Sequence, residues 1–173
     1  MADATFPTDF EITIHNSQAH LDVDPDQLRS LIGRVLQSEG VERAEISVVL
    51  VDDPTIHALN IRHLSHDWPT DVITFPLSEP DDPELAGELI VSVEMAVTTA
   101  RQAGTNPRDE LALYVVHGLL HLCGFDDQTA EERSRIRRRE DEILTTLGLT
   151  NTFPLVGPAE VTDTERESAR WAV

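Results

Sequence analysis

The sequence predicts an α/β (α+β) domain: one small mixed sheet of about four strands, covered by about five helices. Four short apolar runs with strand character are separated by longer stretches whose apolar residues recur at helical spacing. The joints between them carry helix caps, prolines and glycines. At 173 residues the chain has room for one domain with a single core.

Phe10, Ile12 and Ile14 alternate with Glu11 and Thr13, which predicts a half-buried strand over about 9–15. Asp24 before Pro25 is an N-cap with proline at the first helical position, and Leu28, Leu31, Ile32, Val35 and Leu36 continue the helix to Gly40. The Val-rich run Ile46–Val51 reads as a strand covered on both faces. Asp53 and Pro54 open a helix through Ile56, Leu59 and Leu64. A third strand is expected at Val72–Phe75, then an exposed acidic loop SEPDDPELAG, then a fourth strand over Gly87–Val93.

Ser92 or Glu94 starts the next helix, through Met95, Val97 and Ala100 to Gly104. Asn106 or Asp109, with Pro107, starts the helix that carries His117 and His121 and should stop at Gly124. Thr129 and Glu132 form a capping box for the last helix, whose apolar stripe is Ile136, Ile143, Leu144 and Leu147. The domain is therefore expected to span 1–148. Residues 149–173 are expected to form a flexible tail, with Trp171 a candidate for docking.

Thirteen arginines, no lysine and 32 acidic residues give a net charge of −19. A chain so acidic has no global field to attract nucleic acid, so any RNA partner needs a local positive patch or a bound cation. The single cysteine, Cys123, excludes an internal disulfide and suits a reducing compartment. The start, MADATFPTDF, lacks the basic and apolar segments of a signal peptide, and no apolar run approaches the ~18–20 residues of a membrane span. These features predict a cytoplasmic protein with no membrane partner and no DNA partner.

The chemistry concentrates in HGLLHLCGFDD, His117 to Asp127. Residues at i and i+4 on a helix lie about 40° apart around the axis and about 6 Å along it, so both imidazoles can face one cation. Gly124 permits the turn that brings the following residues back toward the same point. The resulting H-x-x-x-H-x-x-G-x-x-D has the ligand spacing of the metzincin zinc site, with aspartate as third ligand. Asp127 fits that spacing better than Asp126, and Cys123, two residues after His121, points away from the pair and reads as an apolar residue.

Zinc with three protein ligands keeps a position for water, whose pKa falls toward ~7, which makes hydrolysis the natural reaction class. The zinc peptidases place a glutamate directly after the first histidine as general base. Here Gly118 stands there, and the peptidase reading lacks its proton acceptor. The bland alternative is a pair of core histidines on an apolar helix.

HGLLHLCGFDD, LNIRHLSHDWPTDVITFP (Leu59–Pro76) and GELIVS (Gly87–Ser92) together resemble the YbeY family of bacterial metal-dependent endoribonucleases, in the family's order and over residues 10–148. The resemblance implies a fold related to the zinc peptidases and one bound Zn2+ held by His117, His121 and Asp127. It also implies cleavage of single-stranded RNA in ribosomal RNA processing, late 16S maturation and ribosome quality control, with ribosomal RNA and ribosomal subunits as partners. Two positions depart from the family. Asp127 replaces a usual third histidine, and Leu64 replaces an arginine thought to hold the RNA backbone.

Arg133, Arg135, Arg137, Arg138 and Arg139 form either a compensating phosphate grip or a solvated face paired with Glu131, Glu132, Glu140 and Asp141. His63 and His66 are candidates to line the cleft. Asp67 and Asp71 are expected to cap and stabilise the turn around Pro69, and no residue is identified as the general base. The competing functions are a metalloprotease, or a ribosome-assembly binding factor whose metal is largely structural.

Overall fold

A computed structural model describes residues 9–65, 67 and 69–151. Its elements run β1 (Asp9–Asn16), α1 (Pro25–Ser38), β2 (Arg43–Val51), α2 (Asp53–Leu64), β3 (Val72–Pro76), β4 (Leu85–Ser92), α3 (Val93–Ala103), α4 (Pro107–Leu122) and α5 (Ala130–Thr146). The four strands form one mixed sheet in the order β1-β2-β4-β3, with β1–β2 and β2–β4 parallel and β3 antiparallel on β4 at the edge.

Local chemistry sets most of the boundaries. The Asp24 carboxylate accepts from the backbone N–H groups of Asp26 and Gln27, and α1 starts at Pro25. Ser92, not Glu94, caps α3, and Asn106, not Asp109, caps α4. Thr129 and Glu132 complete the reciprocal capping box of α5. The acidic loop ends earlier than its composition suggests: Leu85 and Ala86 already pair with Ala44 and Glu45, because β2 begins at Arg43 and offers them partners.

The alternation of each strand divides the core between two sheet faces. Val48, Leu50, Val72, Leu89 and Val91 join the larger cluster with α1, α4 and α5. Val51, Ile73 and Ile90, with Phe75 against them, join Ile56 and Leu59 of α2 on the other face. Helix α4 is the central element, with every residue from Glu110 to Leu120 buried. It can lie this close to the sheet only because Gly118 has no side chain: a Cβ there would fall 2.8 Å from Leu89 Cδ2 and 3.2 Å from both Thr74 Oγ1 and Val72 Cγ2.

After α5, Leu149 packs against the main core and Thr150 N–H donates to the Asp109 carboxylate. Trp171 and the remainder of the expected tail lie outside the described residues, as does His66. No helix among the described residues is long and apolar enough to cross a membrane.

Candidate metal centre

Helix α4 ends in a turn that redirects the chain toward its own histidines. Gly124 adopts φ +94°, its N–H donates to the His121 carbonyl, and the Phe125 N–H reaches back to Leu120 O, which closes the helix in a Schellman motif. The chain then returns to Asp127. Arg133 of α5 holds that loop by donating from one guanidinium nitrogen to Asp127 O at 2.9 Å and Gln128 O at 3.1 Å.

Three side chains converge as a result. His117 Nε2 and His121 Nε2 are 2.9 Å apart with their rings at 76°, and Asp127 Oδ2 lies 3.7 Å from His121 Nε2. One ligand atom from each residue lies within 4.8 Å of the other two. A tetrahedral zinc with bonds of ~2.0–2.2 Å holds its donors roughly 3.3 Å apart, a value inside this range. Two imidazoles and one carboxylate are ordinary zinc donors, so the residues present fit the ion. Asp126 is turned elsewhere: its Oδ1 accepts from the Asp127 N–H, and the residue is exposed.

Burial prepares the histidines. The His117 pKa is lowered to about 3, chiefly because desolvation penalises the imidazolium, with nearby Asp127 opposing the shift and Arg137 adding to it. His121 is lowered for the same main reason, with the His117 charge as the next cause. Both rings are therefore neutral near pH 7, the form that offers a nitrogen lone pair to a metal.

Sequence reasoning missed Glu140. It assigned this carboxylate to a solvated arginine face, whereas Glu140 is 1% exposed and its Oε1 lies 2.6 Å from His117 Nδ1. The contact occupies one ring nitrogen and leaves Nε2 for the metal side, the arrangement by which a carboxylate fixes the tautomer of a metal-binding histidine. Burial raises the Glu140 pKa to about 8, against the opposing influence of Arg137 and His121. A divalent cation held by His117 would act in the other direction, since it would favour an Nδ1–H donor facing a carboxylate. The signal was in the sequence: Glu140 falls within the buried stripe Ile136, Ile143, Leu144, where an acid needs a partner.

Arg139 binds Glu39 at 2.7 Å and Glu142 at 2.9 Å, tying α5 to the end of α1. Glu132 is used in the helix cap and Asp141 accepts from Asn151. Arg133 and Arg137 line, with His117, Asp127, Ile136 and Glu140, a void of about 10 Å³ at the centre's edge.

Other candidates lie elsewhere. His63 meets the Phe75 ring edge-on at 5.7 Å, and Phe75 packs on the α2 face of the sheet, opposite α4. Asp71 has the predicted turn role: its Oδ1 accepts from Val72 N–H and Thr70 Oγ1. Asp67 is exposed and pairs with His57 at 3.0 Å. Burial pushes the Cys123 thiol up to about 12, so this side chain is a poor thiolate donor. A cavity of about 300 Å³ lies between α1, the start of α4 and the end of α5 and contains none of the three converging residues.

Residues 13–148 match the family model described as Endoribonuclease YbeY. The chain belongs to that family. It is 39% identical over 150 residues to the Endoribonuclease YbeY of Pelotomaculum thermopropionicum, covering 80% of this chain and 98% of that one. The Moorella thermoacetica relative of the same name is 41% identical over 154 residues, with the same two coverages. That of Rhodopirellula baltica is 45% identical over 113 residues, which are 64% of this chain and 58% of the relative. A solution structure of a Thermotoga maritima protein superposes with a TM-score of 0.56 at 27% identity, covering 79% of this chain and 91% of that one.

Proposed function

We propose that this chain, an endoribonuclease by family, is a zinc-dependent enzyme that cleaves single-stranded RNA in ribosomal RNA processing, including late 16S maturation and ribosome quality control. His117, His121 and Asp127 are the metal ligands in this reading, and ribosomal subunits present the substrate. The observation that carries it is the convergence of three donor atoms from α4 and the Gly124 loop.

Phosphodiester hydrolysis needs a nucleophile aligned with phosphorus and a cation to take up charge on the non-bridging oxygens. A zinc bound here supplies Lewis acidity and lowers the pKa of water toward neutrality. The protein's part is positional. Burial keeps both imidazoles neutral, Glu140 fixes the His117 ring, and Arg133 holds the loop that presents Asp127.

The peptidase alternative fails at Gly118, where the glutamate of that mechanism would drive into Leu89, Thr74 and Val72. The test is metal content together with cleavage of single-stranded RNA. Wild type should hold one zinc per chain, and His117→Ala should lose both metal and cleavage. Cleavage that persists in metal-free His117→Ala protein refutes the reading. Asp127→Ala cells that process ribosomal RNA normally, while gene deletion does not, would favour a binding factor with a structural metal.

A further inference from the structure

The chain must hold a polyanion while carrying a net charge of −19. Five of its 13 basic residues fall within positions 133–139, immediately after the ligand loop. Arg139 is tied down by Glu39 and Glu142, and Arg133 braces the loop carbonyls. Four of the five acids of α5 are engaged elsewhere, Glu132 in the cap, Glu140 on His117, Asp141 on Asn151 and Glu142 on Arg139, and Glu131 is exposed.

Arg135 is different. It is exposed, and among the described residues it makes no ion pair; its guanidinium lies over the Phe125 ring, 5.6 Å from the centroid. Phe125 is half-buried and sits between the helix-ending Gly124 and the ligand Asp127, so the pair stands on the outer wall of the metal loop. Its backbone is fixed by the bond to Leu120 O, and its ring is braced against the main core.

We propose that Phe125 and Arg135 form a base-stacking seat for single-stranded RNA beside the metal centre, with Arg135 also neutralising the phosphate next to the stacked nucleotide. This rests on the RNA-cleaving reading above. An unpaired base presents a π face that a guanidinium plane or an aromatic ring accepts. An exposed cation–π contact is weaker than base–aromatic stacking, so a base can slide between ring and guanidinium or stack on the guanidinium's outer face. A duplex, whose bases already stack on each other, has nothing to insert. The seat therefore selects single strands and places their backbone against α5.

The test uses full-length, zinc-loaded protein and a cleavage-resistant 2′-O-methyl RNA of about 12 nucleotides carrying one 2-aminopurine, whose fluorescence is quenched on stacking. Wild type should bind and further quench the single strand, and should leave unchanged the fluorescence of the duplex form, which stacking within the helix has already quenched. Phe125→Leu and Arg135→Gln should each weaken binding by roughly 5- to 30-fold and reduce the quench. Arg135→Gln should also lower the slope of log K against log salt by about 0.7. Arg29→Gln, at an arginine of α1 paired with Asp26, should bind like wild type.

Arg135 is on the surface, so its variant tests the seat even if Phe125→Leu loses stability. Wild-type affinity, quench and salt slope in Arg135→Gln, with cleavage intact in wild type, overturn the seat and leave the nuclease reading standing. A wild-type protein that neither binds nor cuts single-stranded RNA overturns both.

Discussion

Replacing Glu140 separates two roles that its burial could serve. The contact to His117 is short, at 2.6 Å, between side chains that are 4% and 2% exposed, so solvent screens it little. Removing a carboxylate that orients a metal-binding histidine costs about 10- to 100-fold in metal affinity. That range corresponds to ~1.4–2.8 kcal/mol. Glu140→Gln keeps a neutral acceptor of the same shape and should lie at the lower end, about tenfold. Glu140→Ala should lie near 100-fold, and it also leaves His117 Nδ1 buried without this partner, at ~1–3 kcal/mol of stability. Competition titration against a chromophoric zinc chelator reads the affinity, and urea unfolding of chelator-treated protein reads the stability. If both variants bind zinc within about twofold of wild type, Glu140 is a packing residue and its assignment as a positioning group is wrong.

The same groups set a pH dependence in chelator-treated protein. His117, held at about 3 against an ordinary 6.5, stays neutral in the fold while the unfolded chain takes a proton, so its contribution is present above 6.5 and is lost as pH falls toward 3. Glu140, raised to about 8 from 4.5, contributes below 4.5 and loses that stability as pH rises through 8. Urea midpoints should therefore fall between pH 6.5 and 8 in wild type and stay level in Glu140→Gln; an unchanged slope in the variant would contradict the assignment. Asp127→His should raise the net charge of a zinc site by one and move the rise of the pH–rate profile for RNA cleavage to lower pH, whereas a shift to higher pH would count against Asp127 as ligand. Gly118→Ala should lower stability by about 1–3 kcal/mol through the contacts with Leu89, Thr74 and Val72, read as a drop in Tm, and no change in Tm would show that α4 can shift. Cys123, with its thiol raised to about 12, should resist alkylation in the native protein at pH 8 and react only on unfolding.

What could be read from the sequence follows the range of the interactions involved. Asp24, Asn106 and the Thr129–Glu132 box act within three residues, and each was readable because cap and helix start are adjacent. The i, i+4 histidines and the Gly124 turn are equally local, so the geometry that brings His117, His121 and Asp127 together was legible. The Glu140–His117 contact spans 23 residues and exists only because α5 packs on α4. The clue, an acid within an apolar stripe, was outweighed by the run of arginines around it. His63, a candidate to line the cleft, does lie beside the strand of the DWPTDV block, but the pleat of β3 sends Phe75, and His63 with it, to the face opposite α4.

The packing of α4 also explains how a peptidase-like ligand spacing is compatible with a different reaction. A helix pressed on β3 and β4 through Gly118 cannot carry a general base at that position, whatever metal its histidines hold. Acids that face the centre come instead from behind it, as Asp127 in the loop and Glu140 on α5. Asp127 adds negative charge where a phosphodiester must approach, whereas Glu140 is buried behind the His117 ring. RNA binding beside the Asp127 carboxylate therefore needs compensating cations on the element that already braces the loop. Helix α5 meets that requirement: Arg133 holds the Asp127 carbonyl, Arg137 lines the void beside His117, and Arg135 stands outermost over Phe125. On this argument Asp127 and the arginine helix are coupled, and Asp127→His combined with Arg135→Gln should lose less RNA affinity than Arg135→Gln alone.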